Sequence, residues 1–290
     1  MPLFRIMLPC FQSVRCDVNR IEVERYDRDG VLFPIPALTA AEVAYFRSRV
    51  EDLEDRLGGH PRPSDLMQPH LFHRWAYDLA IHPVVLDAVE QLLGPNILVH
   101  SASIFSKHSH TADYVSWHQD GYYWGLDVPR LTSAWIALTG SNAGNGCMRV
   151  VPGSHGIDRL PHIDRPHSKD NLLLSGLEIA VGVIESETLD VTLAAGEMSL
   201  HHVNIVHGSN PNRSDGKRIG FAVRYVAPEV RQSLRHHSVV LARGRDDYHH
   251  YENLQEPPSG NSDQSLLAHT EFTRRLLAAR LGSAEDRERR

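Results

Sequence analysis

The sequence predicts a mainly β chain, a sandwich or jelly roll, with helices laid against one outer face. Three observations carry that prediction. From Ile97 onward, short apolar runs of strand composition alternate with Gly- and Asn-rich turns such as TGSNAGNG and SNPN, the rhythm of an all-β sandwich or barrel. Helical periodicity is confined to the residues before that point and to the C-terminal end. The chain has 290 residues, 41% of them apolar, enough for one large core.

Residues 1–20 read as an N-terminal arm, 21–255 as the β domain, and 256–290 as a C-terminal helix with a charged tail. YDRDGVLFPI enters the domain through a turn at Asp29-Gly30. Thr39 and Glu42 are spaced as a capping box, and Val43, Phe46, Val50, Leu53 and Leu57 recur at helical spacing until Gly58-Gly59 ends the run. Pro83 opens a second helix through Leu86, Val89 and Leu93 to Gly94. Strands are expected at 97–105, leading into Lys107, and at 131–138, 147–152, 191–193, 197–206 and 219–227. Residues 156–188 read as a lid-like insertion, because a loop of that length in a compact domain is usually functional. Gln264 to Gly282 has the pattern of an amphipathic helix, with Leu267, Phe272, Leu276 and Leu277 apolar.

The bulk properties exclude several functions. A net charge of −6 gives no basic field for nucleic acid. No apolar run approaches the ~18 residues of a membrane span, and MPLFRIMLPCF is not followed by a small-residue cleavage site, so a cytoplasmic protein is expected. Cys10, Cys16 and Cys147 are odd in number and lack CxxC spacing, which argues for a reducing compartment. Cys147 reads as a small core residue.

The chemistry centres on WHQDGYYWG. His118 and Asp120 lie two residues apart on an expected extended segment, so both side chains face one side. A third ligand is expected from His207, in HHVNIVHGSNPN. Two imidazoles and one carboxylate on one face of an ion form the triad of non-haem Fe(II) oxygenases. His201 shares parity with His207, but six residues of extended strand would separate them by roughly 20 Å, so His201 is not expected beside the same ion. Arg218, flanked by Ile219, Gly220 and Phe221 on the next strand, reads as a buried guanidinium suited to a carboxylate. Metal triad plus carboxylate clamp imply an oxygenase using Fe(II), 2-oxoglutarate and O2. Tyr122, Tyr123 and Trp124 follow the ligands and are expected to alternate in direction, with at least one facing substrate. His155 is either a cap on its PGSH turn or a gatepost near the substrate. Arg149, His167 and Arg224 are further candidates to orient a polar substrate.

Taken together, WHQDGYYW, SAWIALT, NGCMRVVPGSH, HHVNIVHGSNPN and KRIGFAVRY resemble the phytanoyl-CoA dioxygenase (PhyH-like) family of Fe(II)/2-oxoglutarate-dependent oxygenases, from about Tyr26 to Tyr251. The resemblance implies a double-stranded β-helix, a jelly roll of the cupin-like kind, with buttressing α-helices. It implies that His118, Asp120 and His207 bind iron, that Arg218 and Ser209 hold the distal carboxylate of 2-oxoglutarate, and that Lys107 and Trp135 line the co-substrate pocket. Trp124 matches a pocket aromatic of some members. The implied reaction is hydroxylation of an unactivated C–H in a small-molecule metabolite, with succinate and CO2 as co-products. Relatives that halogenate replace the carboxylate ligand with a small residue, so Asp120 argues for oxygen transfer. Two alternatives stand beside this reading: the same oxidising centre used for desaturation, cyclisation or epoxidation, and a non-oxidative cupin-like barrel that binds a metal or ligand. The second has no need of Arg218. Nothing marks a CoA thioester site or an oligomeric state.

Overall fold

The computed structural model describes residues 20–288, except 158, 165–167, 174–176, 234–237 and 260–262. The expected arm, with Cys10 and Cys16, therefore lies outside the described residues but for its last position. Helix α1 (Arg20–Asp29) leads through Gly30 into strand β1 (Val31–Pro36). Helix α2 (Ala40–Arg56) carries the expected capping box: Glu42 N donates to Thr39 Oγ1 at 3.3 Å, and Thr39 N donates to the Glu42 carboxylate at 2.7 Å. Helix α3 (Arg74–Ala80), too short for its periodicity to be read from sequence, precedes α4 (Pro83–Leu93), which begins and ends where Pro83 and Gly94 predict.

The remaining elements are β2 (Ile97–Lys107), β3 (Val115–His118), the single turn α5 (Gly121–Trp124), β4 (Leu131–Ala137), β5 (Met148–Val150), β6 (His162–Asp164), β7 (Leu177–Ile179), β8 (Leu189–Asp190), β9 (Glu197–His202), β10 (His207–Ser209), β11 (Arg218–Val226), β12 (Ser238–Arg243), β13 (Glu252–Asn253) and α6 (Asp263–Glu288). They form a major sheet of order β1-β9-β4-β11-β2-β12-β13, a minor sheet of order β3-β10-β5-β8, and the two-stranded ribbon β6-β7. Apart from the parallel β12–β13 pair, all ladders are antiparallel. This is the jelly roll that the sequence predicts.

Strand parity divides the major sheet into two faces. Ile219, Phe221, Val223 and Tyr225 of β11, with Ala134 and Ile136 of β4 and Met198 and Leu200 of β9, pack in one cluster with Phe46, Val50 and Leu53 of α2, Trp75 and Leu79 of α3, and Val85 and Val89 of α4. Their neighbours of opposite parity, among them Trp135, Ala137 and Ala222, pack instead with Met148, Val150 and Ile205 toward the minor sheet. Full burial of side chains of this size contributes about 1.5–3 kcal/mol each. The helices thus seal one face, and the other is left for the site.

Several boundaries differ from expectation. The strand expected over 197–206 ends at His202, where residues 203–206 turn and carry the chain across to the minor sheet. The strand expected at 191–193 is displaced to β8. Within the insertion, β6 and β7 pair as a short ribbon. The charged C-terminal stretch, read as a tail, is helical as far as Glu288, and α6 is anchored where His269 Nε2 contacts Met67 O at 2.6 Å. No helix among the described residues is long and apolar enough to cross a membrane.

Candidate functional site

The antiparallel β3–β10 ladder places His207 directly opposite His118. Their rings lie 4.1 Å apart between centroids, and His118 Nε2 is 3.3 Å from Asp120 Oδ1. One donor atom from each of His118, Asp120 and His207 lies within 4.8 Å of the others, and all three residues are buried. The route differs from simple strand alternation. Strand β3 stops at His118, and Asp120 has helical backbone angles (φ −57°, ψ −41°) at the head of α5, so a tightening turn, not an extended step, brings the carboxylate beside the imidazole.

The backbone fixes both rings. His118 Nδ1 lies 2.8 Å from Ser116 O, and His207 Nδ1 lies 3.0 Å from Ile205 O. A carbonyl can only accept, so each Nδ1 carries the proton and each Nε2 is left with its lone pair for a metal. Burial opposes ionisation of Asp120, yet its carboxyl is held well below the usual carboxylate range by the neighbouring His118, 3.3 Å away, and by the Arg224 guanidinium. Desolvation and the nearby His118 hold His207 well below the ordinary histidine value. Two imidazole nitrogens and one carboxylate suit a divalent cation, and the buried Asp120 Oδ2 lacks a hydrogen-bond partner.

Beside the triad lies a second charge centre. Register pairs Arg218 with Lys107 across β11 and β2, and both side chains are buried. Lys107 Nζ donates to Ser209 Oγ and to Asn210 O, each at 2.6 Å. Arg218 lies over the Trp135 ring, 5.2 Å from its centroid; its Nε has no hydrogen-bond partner, and no carboxylate among the described residues pairs with it. Burial lowers Arg218 to about 10, still protonated at neutral pH. Burial and the adjacent Arg218 push Lys107 down to about 6. A buried guanidinium without an anion, beside an amine that its charge helps to keep neutral, is costly unless a ligand supplies one. Trp135 closes the wall by packing across β11, where a Cβ on Gly220 would collide with its ring.

The two triad histidines, Arg218 and Arg224 line one cavity together with Phe105, Trp135, Met148, His201, Ser209 and Ala222. Arg224 Nη1 donates to Ser103 Oγ at 3.1 Å, while its Nε stands 3.8 Å from Asp120 Oδ2. The expectation for His201 requires correction. Because the chain turns after His202, its ring lies 5.2 Å from that of His207, not at the far end of an extended strand, and burial holds it down at about 4. The sequence carried a signal: Met198 and Leu200 face the helices, so position 201 faces the site.

The aromatic candidates separate. Since residues 121–124 form a helical turn, they do not alternate as strand residues would. Tyr122 is exposed and stacks on His162 of the insertion, with centroids 4.0 Å apart; the side chain of Tyr123 and all of His167 lie outside the described residues. Trp124 packs against His100 at 5.2 Å and Arg224 at 5.8 Å. His155 is not part of the cavity wall. Its Nε2 contacts Asp27 O at 3.0 Å and its ring packs where a Cβ on Gly30 would sit, which makes it a fastener of the α1–β1 turn instead of a gatepost. Arg149 is occupied by Glu185 and Asp190.

Comparison with known proteins gives concordant findings. The family model described as Phytanoyl-CoA dioxygenase (PhyH) matches residues 26–220. The chain is 29% identical over 164 residues to a probable alpha-ketoglutarate-dependent hypophosphite dioxygenase of Stutzerimonas stutzeri, covering 56% of each chain. It is 26% identical over 223 residues to the ectoine dioxygenase of Nocardia farcinica, covering 68% of this chain and 74% of that one. The chain therefore spans little more than half the length of the first of these relatives. Among solved structures, the apo form of the non-heme monooxygenase ThoJ superposes with a TM-score of 0.75 at 33% identity, covering 91% of this chain and 98% of that chain.

Proposed function

Because the chain belongs to the phytanoyl-CoA dioxygenase (PhyH) family of iron- and 2-oxoglutarate-dependent oxygenases, we propose that it hydroxylates an unactivated C–H of a small-molecule metabolite, with His118, Asp120 and His207 as the iron ligands and Arg218 as the anchor of 2-oxoglutarate. The observation that carries the reading is the pairing of a convergent His-Asp-His triad with a buried guanidinium that has no carboxylate of its own. A metal-storing or sensing barrel would have no use for the second feature.

When bound, iron and 2-oxoglutarate would let O2 act as the oxidant for C–H hydroxylation, one oxygen atom entering the substrate and the other the succinate that is released with CO2. The protein's own part is binding, orientation and exclusion of water. Backbone carbonyls at Ser116 and Ile205 keep Nε2 of both imidazoles available. Asp120 supplies the negative charge, and Arg224 holds that carboxylate ionised from the far side. Arg218, Lys107 and Ser209 bind the distal carboxylate, whose charge compensates the desolvated guanidinium and favours protonation of the Lys107 amine. Trp135, Phe105 and Met148 give the cavity dry walls. Trp124 and Tyr122, with the insertion beyond them, form the substrate side of this arrangement. A cytoplasmic setting belongs to the same reading, supported by the odd cysteine count and the buried free thiol of Cys147.

An anaerobic titration of the purified protein with Fe(II) and then 2-oxoglutarate tests the assignment through the weak visible charge-transfer band of the chelate. The band should form, vanish in His207→Ala and weaken in Arg218→Ala. Iron uptake without a band would favour the non-oxidative barrel, and absence of iron uptake would remove the triad.

A further inference from the structure

The residue between the two paired ligands points away from the metal. Gln119 is fully buried, and its carboxamide is spent on two segments remote in sequence. Nε2 donates to Asn204 O at 2.7 Å, and Oε1 accepts from Leu160 N at 2.8 Å. Its backbone N–H donates to His162 Nε2 at 3.2 Å. His162 Nδ1 in turn lies 2.8 Å from Leu160 O, so the ring is neutral, with the proton on Nδ1 and a lone pair on Nε2 facing Gln119.

Each partner has a functional neighbour. Asn204 belongs to the turn that delivers His207, and that turn is drawn close to the ligand loop: Gly121 N donates to Val203 O at 2.8 Å, and a Cβ on Gly121 would collide with the Asn204 side chain. Leu160 and His162 open the insertion, and His162 stacks on Tyr122 at 4.0 Å. One side chain therefore joins the loop of His118 and Asp120, the turn preceding His207, and the root of the insertion. A buried glutamine merely filling space needs partners for its amide, but nothing requires them to be these three.

We propose that Gln119 is a positioning residue that couples the insertion to the metal triad, so that seating of the insertion and assembly of the three ligands favour each other. The inference rests on the triad assignment. Coupling of this kind is reciprocal: whatever factor the seated insertion adds to metal affinity, the bound metal adds to the protection of the insertion. The tie is built of two side-chain hydrogen bonds and one from the backbone, each a modest net contribution because the same groups can otherwise bond to water. Several-fold effects are therefore expected, large enough to read by proteolysis.

The test is limited trypsin digestion of the full chain with and without Co(II) and 2-oxoglutarate, timing cleavage after Arg159 and Lys169 by mass spectrometry while Co(II) absorption reports occupancy. In the wild type, ligands should slow cleavage several-fold. Gln119→Leu, of similar volume but without polar atoms, should still take up Co(II) and lose that protection. His162→Phe, which keeps the stacking on Tyr122 and alters no residue of the ligand loop, should lose part of it and decides the matter if Gln119→Leu does not fold. Protection undiminished in a folded variant, or no protection in a wild type that binds Co(II), would overturn the tie alone. A wild type that takes up no Co(II) would overturn the triad and the tie with it.

Discussion

Arg218→Met separates binding from stability more sharply than any other substitution at this site. The guanidinium is buried, lacks a hydrogen bond at Nε, and faces no carboxylate among the described residues. Truncating one member of a buried charge pair usually costs about 2–5 kcal/mol. Lys107 and Ser209 stay in place, 2.6 Å apart, so the lower part of that range applies: about 2–3 kcal/mol, or roughly 30- to 150-fold in the dissociation constant of 2-oxoglutarate. In the ligand-free protein the sign reverses. Methionine removes a desolvated charge without breaking an ion pair, a change that is neutral or stabilising in comparable sites. Urea melts of the Co(II)-loaded protein read both effects. With 2-oxoglutarate at about 100 times the wild-type dissociation constant, the wild type gains about 2.7 kcal/mol, and a variant weakened about 100-fold gains about 0.4 kcal/mol. If the ligand-free variant loses stability while 2-oxoglutarate still protects it as in the wild type, Arg218 is a structural residue and the reasoning fails.

Asp120→Ala should abolish substrate-dependent succinate formation and weaken metal retention while leaving the circular dichroism spectrum intact; turnover at the wild-type rate would remove Asp120 from the triad. Lys107 should make co-substrate affinity pH-dependent. Its amine, at about 6 in the free pocket with Arg218, Cys147 and Asp113 as the charged and titratable groups around it, is raised when a carboxylate binds, so binding takes up a proton above pH 6 and affinity falls as pH rises, by at most about tenfold per pH unit. Calorimetry in two buffers of different ionisation heat should detect that proton in the wild type and not in Lys107→Met; equal heats throughout would refute it. His201→Phe should leave metal stoichiometry at one per chain, since the imidazole neighbours the triad without joining it. Loss of the metal in that variant would make His201 a ligand.

What was legible in the sequence followed from rules that act over a few residues. Thr39 and Glu42 mark their helix start because a capping box is a local contract. Strand parity on β11 puts Arg218 and Arg224 on one face and Phe221 and Tyr225 on the other, so a clamp and a second cation in one cavity are already implied by an even spacing. What was hidden depended on where strands stop. The turn after His202 brings His201 back beside His207, and the helical step at Asp120 re-aims a carboxylate that alternation would have aimed differently. The first break has no strong local marker, since HHVNIVHG contains no Pro and its glycine follows the turn, whereas the second coincides with the turn dipeptide Asp120-Gly121. Gln119 was overlooked for a related reason: its partners at 160 and 204 become neighbours only after both sheets have closed.

The triad histidines belong to the minor sheet, whereas Arg218 and Lys107 belong to the major one. On the proposed assignment, a dicarboxylate held at one end by the metal and at the other by the guanidinium would be a rivet through both leaves of the sandwich, its shank length fixed by the gap between them. A keto acid with a shorter backbone can engage one leaf but cannot bridge to the other, so discrimination among keto acids resides in the spacing of two sheets and not in any single contact.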